Sequence, residues 1–193
     1  MKKTLLAAVA VIGFAMGTST HAELVTNGGF ETGNLNGWAQ TARSGVLVRS
    51  SPSGASFVEG PHTGMYAAFF GAVNRLGGIS QTIATTAGSI YDFSFWYASD
   101  GGLPNEFQAF FDGNKVFDII NDPAHGYIHE SFAVTASTNS TVISFLGQNN
   151  PTYQALDDVS VKAAQGTVPE PASWALFGLG LVGFFASRRK SAK

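Results

Sequence analysis

The sequence predicts an all-β domain, an antiparallel sandwich, set between two apolar ends. The first observation is alternation. In residues 89–97, Tyr91, Phe93, Phe95 and Tyr97 fall on one face, and Asp92, Ser94 and Trp96 on the other. The second is punctuation: Ser51-Pro52-Ser53-Gly54, Asp100-Gly101-Gly102, Asn121-Asp122-Pro123 and Asn149-Asn150-Pro151 break the chain into short runs. The third is that no window of the middle sustains a helical period of 3.6.

Each strand rests on its own pattern. Strands are expected at 45–49, 66–70, 79–83, 89–97, 106–111, 114–120, 128–134, 141–146 and 155–161. In 106–111, Phe107, Ala109 and Phe111 oppose Gln108 and Phe110. Asp112-Gly113 follows, a dipeptide suited to the two positive φ angles of a tight hairpin turn, so 114–120 is its return strand. No internal repeat is present, and the linker-like stretch is 163–168.

Composition removes several function classes. Charged residues make up only 12% of the 193, about half the ordinary share. Cysteine is absent, so there is no disulfide framework, thiol nucleophile or cysteine-based zinc site. Residues 23–167 hold five basic side chains against twelve acidic ones, a net charge of −7. Such a domain does not seek nucleic acid or an anionic membrane surface.

The ends read as targeting segments. Lys2 and Lys3 precede an apolar run of 12 residues from Leu5 to Met16, and Thr20-His21-Ala22 closes on small residues. The run is too short to span a bilayer as a helix, and the order is that of a secretory signal peptide over 1–22, with the mature chain starting near Glu23. At the other end, Val168-Pro169-Glu170-Pro171 leads into 15 apolar residues at 172–186 and then Ser187-Arg188-Arg189-Lys190. As a helix this run measures about 22 Å, a marginal transmembrane span whose basic end stays cytoplasmic. The sequence of Pro169-Glu170-Pro171, glycine-rich apolar run and Arg188-Arg189 resembles the PEP-CTERM sorting signal. That resemblance implies a protein of a Gram-negative bacterium, inserted in the inner membrane through its tail. It is then processed by an exosortase and delivered to the cell surface or extracellular matrix. A plain C-terminal anchor is the alternative.

The middle domain, 23–167, carries three further motifs in order. They are Asn27-Gly28-Gly29-Phe30-Glu31-Thr32-Gly33 followed by Gly37-Trp38, then His62-Thr63-Gly64, then Leu156-Asp157-Asp158-Val159-Ser160-Val161. Together they resemble the jelly-roll carbohydrate-binding modules of families 4, 9, 16 and 22, which open on an N-x-GFE-x-G segment and close on a D-D/N-V-x-V strand. The resemblance implies a jelly-roll sandwich, glycan binding and a structural calcium ion. Its ligands would be Glu31 and Asp157, with backbone carbonyls near His62. Such hard oxygen donors suit calcium. Strand alternation is expected to point Asp158 away from Asp157.

Enzyme signatures are thin. There is no G-x-S-x-G elbow and no phosphate loop. His125 and His129 have the spacing of a helical zinc pair, but on a strand they lie about 13 Å apart. Asp92 and Glu106 are the carboxylate pair to inspect for glycoside hydrolysis. Trp96, in register with Asp92 and Ser94, forms a candidate glycan platform, with Gln108 and Phe110 expected beside it on a neighbouring strand. The competing reading buries Trp96 in a second, minor core, and Trp38 is expected to pack near the opening turn. The sequence therefore points to a non-catalytic exported glycan-binding protein. The alternatives are a structural surface or biofilm-matrix protein without a small ligand and, last, a glycoside hydrolase.

Overall fold

The computed structural model of the protein describes residues 22–41, 44–50 and 60–164. The expected signal segment before Ala22, the turn at 51–54 and the tail at 168–193, with its helix, lie outside the described residues. Ten strands form the domain: β1 (Ala39–Gln40), β2 (Val46–Arg49), β3 (Ala67–Phe70), β4 (Gly77–Ala84), β5 (Ile90–Ser99), β6 (Asn105–Phe111), β7 (Asn114–Ile120), β8 (His125–Thr135), β9 (Ser140–Asn149) and β10 (Gln154–Ala163). They pair antiparallel in two five-stranded sheets, β1-β4-β9-β6-β7 and β2-β3-β10-β5-β8. All nine expected strands are present, and β1 is an additional short edge on β4. Among the described residues there is no helix.

The alternation sorts the sheets as the sequence requires. Tyr91, Phe93, Phe95 and Tyr97 of β5 face Phe107, Ala109 and Phe111 of β6 and Ile143 and Phe145 of β9 across one core. Phe93, Phe95, Phe107 and Phe145 are fully buried. Full burial of such a ring is worth about 1.5–3 kcal/mol relative to exposure. The rings meet at tilted and edge-on angles, as Phe95 and Phe145 do at 5.1 Å and 85°. Between β6 and β7, Asp112 and Gly113 take φ of 53° and 76°, the turn their dipeptide favours.

The opening segment is a plug and a clamp. Phe30 is fully buried and stacks on Trp38 at 5.8 Å. The Trp38 indole N–H donates to the Asn27 carbonyl (3.1 Å), so Trp38 packs at the opening turn as expected. The Asn27 amide donates to the carbonyls of Asn34 and Asn36 and brackets the loop. Gly28 lets β10 approach: a Cβ there would meet the Val159 carbonyl oxygen at 2.0 Å.

One expectation about neighbours fails. β5 and β6 follow each other in sequence but belong to different sheets, because the connection between them crosses the sandwich. Gln108 and Phe110 therefore do not lie beside Asp92, Ser94 and Trp96; the two sets look outward from opposite faces. The same crossing separates Asp92 from Glu106, so these carboxylates form no pair across a scissile bond.

Candidate functional site

Two outer faces and one carboxylate cluster carry the residues singled out above. On the outer face of β5, Asp92 is exposed opposite Ala133 and Lys162, and Ser94 lies between Ser131 and Ser160. Trp96 sits between His129 of β8 and Asp157 of β10. Its plane is not open. The His62 ring stacks on it at 3.8 Å and 16°, and the His129 ring lies at 5.0 Å. Beside it Ala67, Phe69, Ala98 and Ala155 form a second, smaller core packed by Tyr127 and Tyr153.

His62 is held over Trp96 by the closing strand. Its Nδ1 contacts Asp158 Oδ2 at 2.7 Å, and its backbone N–H donates to Asp157 Oδ2 at 2.9 Å. Thr63 adds its N–H to Asp157 and its hydroxyl to Asp158 Oδ1, the latter at 2.7 Å. Asp158 does not point away from this cluster, as strict alternation would have it. β10 carries a bulge between Asp157 and Ser160, and Asp158 sits at φ 47°, which turns it toward His62.

Glu31 reaches the same neighbourhood from the opening segment, accepting the N–H groups of Met65 and Tyr66 at 3.0 Å. Gly29 passes close to the closing strand: a Cβ there would stand 3.3 Å from Asp158 Oδ1, 3.8 Å from Glu31 Cγ and 3.9 Å from Asp157 Oδ1. Burial pushes the Asp157 carboxyl up to about 7, with the Asp158 charge adding to the rise and backbone N–H bonds opposing it. The opening, 62–66 and closing segments thus meet, with Glu31 on the N–H groups of Met65 and Tyr66 and Asp157 on those of His62 and Thr63. The donor chemistry suits a hard divalent cation. The side chains alone do not make a complete shell: among the described residues no three His, Cys, Asp or Glu side chains converge as metal ligands. Carbonyl oxygens would have to supply the rest.

The outer face of the β1-β4-β9-β6-β7 sheet is different in kind. Paired strands set Gly78, Leu146, Gln108 and Asp118 in one cross-strand row. Ser80, Ser144 and Phe110 form the row on one side of it, and Gln148, Glu106 and Ile120 the row on the other. Leu146 lies over Gly78, where a Cβ would meet its Cδ2 at 2.7 Å. The Gln108 amide donates to Glu106 Oε1 (2.7 Å) and Asp118 Oδ1 (3.2 Å), and the Gln148 amide to Glu106 Oε2 (3.3 Å). Lys115 pairs with Asp118 and, through that hydrogen bond first, holds its carboxyl below the usual range. Fixed amide and carboxylate groups thus flank the apolar side chains of Phe110 and Leu146. Such a surface can meet hydroxyls with its polar groups and C–H faces with its apolar ones.

Sequence reasoning named Gln108, Phe110 and Glu106 on this face but missed Asp118, Leu146 and Gln148. The outward positions of β7 and β9 were readable from alternation; their pairing with β6 was not. It also weighed His125 only for its spacing from His129. His125 Nε2 contacts the buried Asp122 carboxylate at 2.7 Å, which accepts the Tyr97 hydroxyl at 3.0 Å. Burial, and then the Asp122 charge, push the Tyr97 hydroxyl far above its ordinary range.

Comparison with known proteins separates the two parts of the chain. No curated protein matches the sequence. Among solved structures, the domain is similar to TmCBM61 in complex with β-1,4-galactotriose (TM-score 0.55, 17% identity, 74% of this chain and 99% of that one). It is similar to the CBM22-1 xylan-binding domain from Paenibacillus barcinonensis Xyn10C (0.53, 11%, 78% and 100%). It also resembles the K3 cleaved adhesin domain of Lys-gingipain from Porphyromonas gingivalis W83 (0.54, 15%, 74% and 98%). At these identities the likeness is one of fold, a jelly-roll sandwich of the carbohydrate-binding-module type. Residues 167–190 match the PEP-CTERM protein-sorting motif, which includes Pro169-Glu170-Pro171 and Arg188-Arg189.

Proposed function

We propose that this is an exported, non-catalytic glycan-binding protein that takes polysaccharide on the outer face of the β1-β4-β9-β6-β7 sheet. The single observation behind it is the row of amide and carboxylate groups at Glu106, Gln108, Asp118 and Gln148, tied to one another beside Phe110 and Leu146. The fold shared with glycan-binding modules supports the same reading. Trp96 is the weaker platform, since His62 covers its plane. The partners are then an exopolysaccharide and, through the tail, the inner membrane and an exosortase, with the cell surface or matrix as destination.

Affinity electrophoresis against a polysaccharide panel, preceded by a glycan array, tests this. Phe110→Ala should weaken retardation by about tenfold, about 1.4 kcal/mol, with little loss of stability; Gln108→Ala, at a buried side chain bonded to Glu106 and Asp118, should weaken it as much and also cost about 1–2 kcal/mol of stability. Trp96→Ala should cost about 1–3 kcal/mol of stability and leave binding intact. Binding lost with Trp96 but kept without Gln108 and Phe110 would move the site to the other sheet. No binding to any glycan would leave the structural matrix role.

The carboxylate cluster supports a second element of the proposal, a structural calcium ion held by Glu31 and Asp157. Its basis is the buried Asp157 carboxyl next to Asp158 and Glu31, a grouping of charge that a cation would offset. The ion would tie the opening segment, the 62–66 turn and the closing strand together, away from the sugar face.

A further inference from the structure

The described chain enters and leaves the sandwich at one end. On entry, the Leu24 N–H donates to the Val161 carbonyl at 3.0 Å, and Glu23 accepts the Val161 N–H at 2.8 Å. On exit, the Ala164 N–H donates to the Ile90 carbonyl at 2.9 Å. Ala22, Leu24 and Ala163 line one shallow hollow with Thr85, Thr86 and Tyr91. The β4–β5 and β8–β9 connections close around it, with Thr85 N–H on Asn139 O (3.1 Å) and Gly88 N–H on Ala136 O (2.8 Å).

The charges at this end are engaged: Glu23 accepts the N–H groups of Val25 and Val161 and lies 3.8 Å from the Lys162 ammonium. Residues 84–90 and 135–140 include no charged side chain, in a domain of net charge −7. The nearby Asp112 carboxylate is engaged by the backbone N–H of Ser137 (2.9 Å) and by its hydroxyl. The far end holds Arg75, Asp100 and the buried Asp122 paired with His125.

The tether is short. Eight residue steps separate Ala164 from Ala172, where the apolar run of the sorting motif begins, and they span at most about 28 Å. β8 alone, with 11 residues, is about 36 Å long. The apolar tail thus begins within reach of this end, whose two loops carry no charge.

We propose that the loops at 84–90 and 135–140 form a lipid-facing surface. While the tail is inserted, the sandwich stands on this end, and the Glu106, Gln108 and Gln148 rows lie toward the far end. The proposal rests on the tail as a membrane insert, and flotation reads that separately. Because the chain has no cysteine, Ala87→Cys in the β4–β5 loop and the far-end Leu103→Cys each give a single fluorophore site. The full chain is reconstituted in phosphatidylethanolamine–phosphatidylglycerol vesicles containing headgroup spin-labelled lipid. Quenching at Ala87→Cys should exceed that at Leu103→Cys several-fold, and a long Gly/Ser insert after Ala164 should erase the difference. Flotation with equal quenching at both sites overturns the orientation. Failure to float overturns the insertion and the orientation with it.

Discussion

Asp157 ties the turn at His62 and Thr63 to the closing strand, because its carboxylate accepts the N–H groups of His62, Thr63 and Asp158 at 2.9, 3.2 and 2.8 Å. Burial nonetheless raises its carboxyl from 3.8 to about 7, so the folded state holds this proton more tightly than the unfolded chain. Its contribution to stability is fully present below about pH 4 and is lost as pH rises through 7. Calcium competes with that proton, and an ion that binds only the native state stabilises it in proportion to the logarithm of its concentration. Millimolar calcium should therefore raise the melting temperature clearly at pH 8 and little at pH 5. In chelator, Asp157→Asn should flatten the fall in stability between those values. Identical melting curves with and without calcium at both pH values, in protein shown free of metal, would remove the ion. The carboxylates themselves were legible as motifs. The bulge that swings Asp158 beside His62 was not, since one unpaired residue on a strand leaves no mark in a single sequence.

Among the elements, β8 shows what alternation reveals and what it hides. It is an edge strand of 11 residues, paired only with β5. Phe132 and Val134 turn toward the core, in register with Phe93 and Tyr91. Glu130 stands on that same inward side, opposite Phe95. An inward charge on an edge strand discourages pairing with a second molecule. Glu130→Val should leave the melting temperature of the monomer unchanged or higher and increase concentration-dependent light scattering several-fold. Unchanged scattering would mean that the edge is protected some other way. The faces of β5, β6 and β8 were readable because a period of two belongs to the chain itself. The pairing of strands was not. Sequential strands are neighbours in roughly two-thirds of cases, and the 100–104 connection is one of the exceptions. That crossing placed Gln108 and Phe110 on the opposite face from Trp96. The Asp112-Gly113 hairpin was legible because a two-residue turn fixes its own register.

At the scale of the whole molecule, the two apolar ends and the sandwich between them do separate jobs, and composition alone divided them. The basic residues of the ends offset most of the acidity of the domain, so the net charge of −2 for the full chain conceals −7 in its middle. The tail match covers residues 167–190 and carries no information about the sugar face. What it bears on is fate. The apolar run at 172–186 is short for a lasting span of about 20 residues, and its glycines weaken it further as a helix. A segment of this kind suits temporary retention followed by removal. The mature protein in its native host should therefore lack residues 172–193, and release should leave the domain free to reach polysaccharide beyond the membrane. Intact mass spectrometry of the envelope and secreted fractions measures this directly, against the 20.2 kDa of the full chain. A surface form that still carries Arg188 to Lys193 would mean that the tail is a permanent anchor, and the glycan would then have to be met at the membrane.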